Sequence, residues 1–326
     1  MPNSNVDIVA EAANLKLFQK IIFSLMVLLL ATSCSSERPS LSETTPTVET
    51  IIKIDKLPLI IGHRGARSLA PENTIASARK ALEIGADMWE LDVAVTSDNE
   101  LVVLHDDTLD RTCNVKDLFP GKVPWRVWEF TLAEIKTLDC GSWFIKTDPF
   151  GQIKAGAVSQ EEIDSYVGEP LPSLREALEF THDNNWRVDV ELKDQTNEEL
   201  SQTLVTKTVE LIHELGMDDG KQVVISSFNH DYLKGVRSLN PNIPVQAITS
   251  TKINDLPEYL TEIGADACNP KLDVWNIQEL VDLGKKGIHF NVWTVNDEST
   301  MRELIDAKVQ GIITDYPQVL ILVMNK

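Results

Sequence analysis

Residues 88–105 read Met88-Trp89-Glu90-Leu91-Asp92-Val93-Ala94-Val95, then Thr96-Ser97-Asp98-Asn99-Glu100, then Leu101-Val102-Val103-Leu104-His105. Two apolar, β-branched runs flank a polar link of five residues. A parallel crossover needs a dozen or more residues, so the two runs must pair antiparallel as a hairpin. The second run therefore extends the first strand and adds no member to a parallel sheet. From Leu57 onward, short apolar runs alternate with longer amphipathic stretches, the rhythm of βα units. Strands are predicted over 59–62, 88–95, 186–192, 222–227, 244–249, 265–268, 288–294 and 311–314, with helices over 74–84, 173–184, 197–215 and 297–308 among others. Asn73 is the expected N-cap of the first helix, and Pro172-Ser173 and Asn296-Asp297 open later ones in similar fashion. With the hairpin set aside, the count is eight βα units. That favours an α/β fold of the closed (β/α)8 TIM-barrel type over an open doubly wound sheet, and no Gly-rich dinucleotide fingerprint argues otherwise.

Between Asp106 and Pro172 the rhythm is lost, and Gly, Pro and Trp accumulate, as in Gly141-Ser142-Trp143-Phe144. Residues 107–171, after the hairpin of the second strand, read as an insertion packed over the barrel mouth. Cys113 and Cys140 both fall there, where few strand ladders hold the chain, so a bridge between them is the expected pairing. Cys268, at a strand end, is then a buried thiol; three unpaired thiols is the alternative.

The chain has 326 residues, 43% of them apolar, enough for one barrel or two smaller domains. Its formal charge of −20 argues against a nucleic-acid partner. An anionic substrate would need local cations to overcome that field. Near the start, Lys16 and Lys20 precede the apolar run 21–31, which meets small residues and Cys34. That order is an n-region, an h-region and a cleavage zone, and the run is short for a span of about 20 apolar residues. Leu30-Ala31-Thr32-Ser33-Cys34 resembles a bacterial lipobox, with Cys34 as the lipidated residue; an ordinary secretory signal is the alternative. The expected organisation is a lipoprotein signal over 1–34, a Ser/Thr/Pro-rich tether over 35–56 and a barrel domain over 57–326. It implies an extracytoplasmic lipoprotein held to the membrane by its lipid anchor, in the periplasm and outer membrane or at the cell surface.

Polar residues at the C-terminal ends of barrel strands build the active site of this fold. The first strand ends in His63-Arg64, the second carries Glu90 and Asp92, and the third carries Glu191 and Lys193. Residues two apart on a strand point to the same side, so each pair can converge on the mouth. Three carboxylates meeting there repel unless a cation sits between them, and oxygen ligands favour Ca²⁺ or Mg²⁺. His63 and His105 can supply the base and acid that phosphodiester hydrolysis needs near neutral pH. Arg64 can hold phosphate oxygens bidentately and Lys193 as a point charge. Each element has a blander reading. Glu90 and Asp92 could be solvated edge residues, Glu191 and Lys193 a surface pair, and His105-Asp106-Asp107 a turn. Trp293 reads as core, or as a ring stacked on the glycerol part of a substrate.

His63-Arg64-Gly65, Pro71-Glu72-Asn73-Thr74, Glu90-Leu91-Asp92-Val93, Val103-Leu104-His105-Asp106, Leu109-Asp110-Arg111-Thr112, Val190-Glu191-Leu192-Lys193, Val292-Trp293-Thr294 and the stretch 311–317 follow one another in order. This series resembles the blocks of the glycerophosphodiester phosphodiesterase family, over roughly residues 57–320. The resemblance implies a divalent metal on Glu90, Asp92 and Glu191, acid–base roles for His63 and His105, and phosphate contacts from Arg64 and Lys193. It also implies that Glu72 orients the first-strand site from behind. The implied reaction releases an alcohol and sn-glycerol 3-phosphate, with a cyclic phosphate as a possible waypoint. The alternatives are a phospholipase D-like hydrolase of lysophospholipids and a non-catalytic binding lipoprotein.

Overall fold

The computed structural model describes residues 57–325; the expected signal, the tether and Cys34 lie outside the described residues. Nine strands are present among the described residues: β1 (Leu59–Gly62), β2 (Met88–Val95), β3 (Leu101–Val103), β4 (Val188–Leu192), β5 (Val223–Ser227), β6 (Val245–Thr249), β7 (Ala267–Pro270), β8 (Asn291–Val292) and β9 (Gly311–Thr314). Their order is β7-β6-β5-β4-β2-β1-β9-β8, with every neighbouring pair parallel. Single parallel bridges from Cys268 to Phe290 and from Lys271 to Trp293 link β7 to the β8 segment and close the ring. The hairpin is as expected: β3 pairs antiparallel with β2, Val93 opposite Val103.

Five strands differ in their bounds from expectation: β4, β5 and β6 start one or two residues later, and β7 and β8 differ more. β7 starts at Ala267, because Asp266 is a polar clasp: its carboxylate binds Arg237 and accepts from the Val245 amide. β8 is only Asn291–Val292, since its flanks join β7 by the isolated bridges. Asn73 is not the N-cap of α1 (Ile75–Glu83). That place is taken by Thr74, whose hydroxyl accepts from the Ser77 amide at 3.2 Å. Asn73 instead has φ 58° and turns its amide toward Asp92. The cap of α6 (Leu174–Asp183) is a reciprocal box between Ser173 and Glu176, and Asp297 caps α11 (Glu298–Asp306).

The main core lies between the strands and the surrounding helices, with Trp89, Leu91, Val190, Ile225, Leu178 and Ile212 fully buried. A smaller apolar plug of Leu59, Ile61, Met88, Val224 and Ile313 fills the barrel interior below the polar mouth. The insertion carries four short helices: α2 (Val115–Leu118), α3 (Leu132–Ile135), α4 (Ser142–Thr147) and α5 (Gln160–Ser165). It has a core of its own, in which Phe130, Ile135, Leu138 and Leu171 pack against Val102 and Leu104 of the hairpin arm. Cys113 and Cys140 sit inside this cluster and are joined by a disulfide, while Cys268 is a buried thiol whose pKa burial pushes up to about 12.

Closing a loop of 27 positions removes denatured-state entropy equivalent to at most about 3.5 kcal/mol. Reduction, or the double replacement Cys113→Ser/Cys140→Ser, is expected to lower denaturant-unfolding stability by up to that amount. Calorimetry or urea titration with and without reductant checks it; an unchanged midpoint contradicts a stabilising bridge.

Candidate active site

The register of β2 against β4 places Glu90 beside Asp189 and Asp92 beside Glu191. All four acids therefore face the barrel interior within two steps of one another. Oxygens of Glu90, Asp92 and Glu191 come within 4.8 Å of each other, and Glu90 and Asp92 are buried. Burial raises the Glu90 carboxyl well above its ordinary range, and the charges of Asp92 and Glu191 raise it further. Glu191 is raised by burial and by Asp92, and Asp189 by burial, with smaller pushes from Glu191 and Asp92, to about 7. Asp92 goes the other way. Burial opposes its ionisation, but Arg64, His105, Lys193 and the Asn73 amide, which donates to Oδ2 at 2.8 Å, hold it ionised.

Glu90 Oε1 and Asp92 Oδ1 are buried with no hydrogen-bond partner. Buried carboxylate oxygens rarely go unsatisfied, and an oxygen-rich cluster of this kind suits a hard divalent cation. Three carboxylates with oxygens clustered within 4.8 Å, two of them with an unpartnered buried oxygen, fit a metal site.

The tight turn after β1 delivers the next groups. Gly65 has φ +82°, and a Cβ there would lie 1.9 Å from Ser77 Oγ, so only glycine fits. The turn swings the Arg64 amide onto Glu90 Oε2 at 2.8 Å, and the Arg64 guanidinium reaches Glu72 at 2.7 Å and Asp92 at 3.3 Å. Lys193 Nζ lies 2.9 Å from Glu191 and 3.6 Å from Asp92. Both cations expected to meet phosphate are thus already paired with the acidic cage.

Register also sets the partner of His63. Gly62 lies opposite Thr314 on β9, so the next residues, His63 and Asp315, emerge side by side, with Nδ1 2.6 Å from Oδ1. Nε2 is 3.9 Å from Glu90. Burial lowers the His63 pKa; the Asp315 bond opposes this, while Arg64 and Arg67 add to it. His105 has a matching arrangement, with Nδ1 2.7 Å from Asp106 Oδ1. Behind both imidazoles lies Glu72, 3% exposed. Its carboxylate takes Arg64 and Arg111 on Oε1, each at 2.7 Å, and Arg67 on Oε2 at 3.0 Å. Burial would raise that carboxyl, but Arg111, Arg64 and Arg67 bring it down to about 2.

One cavity of about 210 Å³ opens here, lined by His63, Arg64, Glu90, His105, Glu191, Lys193 and Trp293 among others. Trp293 donates its indole N–H to the Asn269 carbonyl at 2.7 Å and meets Phe228 edge-on, forming the apolar wall. Asp315, Asp106, Arg67, Arg111, Asn73 and Asp189 were not among the residues expected at the site. Asp315 follows the last strand directly, so the rule that places active sites at strand ends could have found it. The arginines had no such signal.

A (β/α)8 barrel whose mouth gathers buried acids, two carboxylate-backed imidazoles and several cations has the outline of a hydrolase for phosphate esters. The model of the Glycerophosphoryl diester phosphodiesterase family matches residues 63–319. A glycerophosphodiester phosphodiesterase of Caldanaerobacter subterraneus subsp. tengcongensis is 35% identical over 270 residues, covering 82% of this chain and 98% of that one. One from Bacillus subtilis is 33% identical over 266 residues, covering 79% and 84%. Among solved structures, an Oleispira antarctica phosphodiesterase in complex with the product sn-glycerol-3-phosphate aligns with a TM-score of 0.69 at 27% identity, over 82% of this chain and 97% of that one. The chain belongs to the glycerophosphoryl diester phosphodiesterase family.

The raised acids give a pH signature for metal removal. In chelated protein, Glu90, Glu191 and Asp189 hold protons more tightly folded than unfolded, so they favour the fold below about pH 4 and lose that contribution as pH rises through their raised pKa values, about 7 for Asp189. His63, lowered, acts oppositely below its ordinary pKa, and Glu72 changes only between about 4.5 and 2. A divalent cation needs the deprotonated cage. A divalent cation should therefore stabilise the protein over its chelated form more at pH 8 than at pH 5, by about 2.7 kcal/mol at a hundredfold excess over Kd. Thermal shift in chelator against added Ca²⁺ or Mg²⁺ checks this, and equal shifts at both pH values contradict it.

Proposed function

We propose that this chain hydrolyses glycerophosphodiesters to an alcohol and sn-glycerol 3-phosphate, with His63 and His105 as the proton-transfer pair and Glu90, Asp92 and Glu191 as holders of a Ca²⁺ or Mg²⁺ ion. The observation that carries the reading is the convergence of both histidines, Glu90, Glu191, Arg64 and Lys193 on one cavity, with Asp92 clustered against the two acids. The product found in the Oleispira antarctica phosphodiesterase supports the substrate class. When bound, the cation offsets the crowded acids and stabilises negative charge growing on phosphoryl oxygens.

The chain's own groups divide the remaining work. His63 donates Nδ1–H to Asp315, which leaves Nε2 as an acceptor, and its lowered pKa keeps it neutral. It takes the proton of the neighbouring glycerol hydroxyl that attacks phosphorus, and water then opens the resulting cyclic phosphate to glycerol 3-phosphate. His105, with Nδ1 on Asp106, gives a proton to the leaving alkoxide. Arg64 and Lys193 line the same cavity and would supply positive charge to the phosphate oxygens. Trp293 and Phe228 present an apolar wall to the carbon skeleton of the glycerol.

The measurement is a coupled assay for released glycerol 3-phosphate. Loss of a general acid or base costs about 10²- to 10⁴-fold, so His63→Ala and His105→Ala should each lose at least about two decades. Near-normal turnover in either variant, folded and metal-loaded, sinks the assignment. Lysophosphatidylcholine assayed beside glycerophosphocholine separates the lysophospholipid hydrolase from this reading.

We also propose that Cys34 is acylated and anchors the enzyme outside the cytoplasm, on the strength of the lipobox resemblance. Cys34→Ala is expected to leave the membrane fraction on cell fractionation; retention at the parent level contradicts anchoring.

A further inference from the structure

The two imidazoles are held unequally. His63 is 16% exposed and fixed by the register of β1 with β9, whereas His105 is 34% exposed and follows β3 in a turn. Packing alone therefore restrains His105 less, and its orientation depends on the bond from Nδ1 to Asp106. Asp106 is gripped in turn. Arg111 donates Nε–H to Asp106 Oδ2 and Nη2–H to Glu72 Oε1, the latter at 2.7 Å. A guanidinium held through Nε and Nη2 by two carboxylates, and absent from the cavity lining, is poorly placed to bind substrate.

Arg111 is seated from the insertion. Its Cζ lies 5.8 Å from the centre of the Trp143 ring. Arg111 stands two residues before Cys113, Trp143 three after Cys140, and the disulfide joins the two segments. Asn114 and Asp139 add two further bonds between them, amide to carbonyl at 3.0 Å and amide to side chain at 2.9 Å. Cation, ring, bridge and turn fix one guanidinium beside the barrel mouth.

We infer that Arg111 is a positioning residue for His105, holding Asp106, and through it the imidazole, in the orientation that turns Nε2 to the cavity. The inference rests on the reading of His105 as a proton-transfer group. An imidazole displaced by about 1 Å can cost roughly a hundredfold in rate while substrate binding survives.

The test is steady-state kinetics of the full-length, metal-loaded enzyme on glycerophosphocholine, with R111A, R111K, D106N, R111A/D106N and H105A. R111A should lose about 10- to 100-fold in kcat with KM within about threefold. Added guanidinium should restore part of the rate to R111A and none to H105A. Lysine keeps the charge but lacks the fork, so R111K should fall between parent and R111A. Because both residues act through one imidazole, R111A/D106N should lose little more than the worse single variant. Parent-like kcat in R111A beside an inactive H105A overturns the inference alone, as does a rise in KM with kcat unchanged. An active H105A overturns the reading beneath it. Should R111A not fold, R111K decides by the same split of kcat and KM.

Discussion

Four carboxylates on two adjacent parallel strands are the constraint from which the rest of the barrel mouth follows. The register of β2 with β4 leaves Glu90, Asp92, Asp189 and Glu191 no way to separate. Two like charges about 4 Å apart cost about 4 kcal/mol even at an effective dielectric of 20. The fold answers unequally. Asp92 receives Arg64, Lys193 and Asn73 and stays ionised, while Glu90, Glu191 and Asp189 are pushed toward the protonated form. Orphaned oxygens on Glu90 and Asp92 are the remainder of that imbalance. A site built this way is stable without a cation only by holding protons, and a divalent ion there would have to displace them.

The overall charge of −20 makes the local arrangement more telling. Arg64, Arg67 and Arg111 converge on the single buried carboxylate of Glu72. One acid therefore concentrates three cations beside the cavity, against the background field that would repel a phosphodiester. The same convergence ties the two histidine pairs together, since Arg67 also approaches Asp315 at 3.6 Å and Arg111 also grips Asp106. Neither imidazole has to rely on its own loop for placement.

Much of this was legible in the sequence, and the reason lies in its period. Alternation fixed which way Glu90, Asp92, Glu191 and Lys193 could point, and the five-residue link after Val95 identified the hairpin. Asn73 was misread because a residue that caps helices well also makes a good carboxylate donor, and only the fold shows Asp92 within its reach. The partnership of His63 with Asp315 spans 252 positions and exists only through the register of β1 with β9. Arg67 and Arg111 lie off the strands, where no periodicity gives a direction. Their roles come from Glu72, whose burial could not be read from the short segment Pro71-Glu72-Asn73.

The insertion is more than a connection. Its apolar cluster and disulfide would be unnecessary if it only joined β3 to α6, because a connecting loop tolerates motion. Placing a guanidinium between two carboxylates does not tolerate it, since hydrogen bonds weaken steeply with distance and angle. A segment without strand ladders can reach that accuracy only through a core and a covalent tie of its own. The geometry at Arg111 thus accounts for why a stretch lacking βα rhythm is nonetheless packed like a small domain.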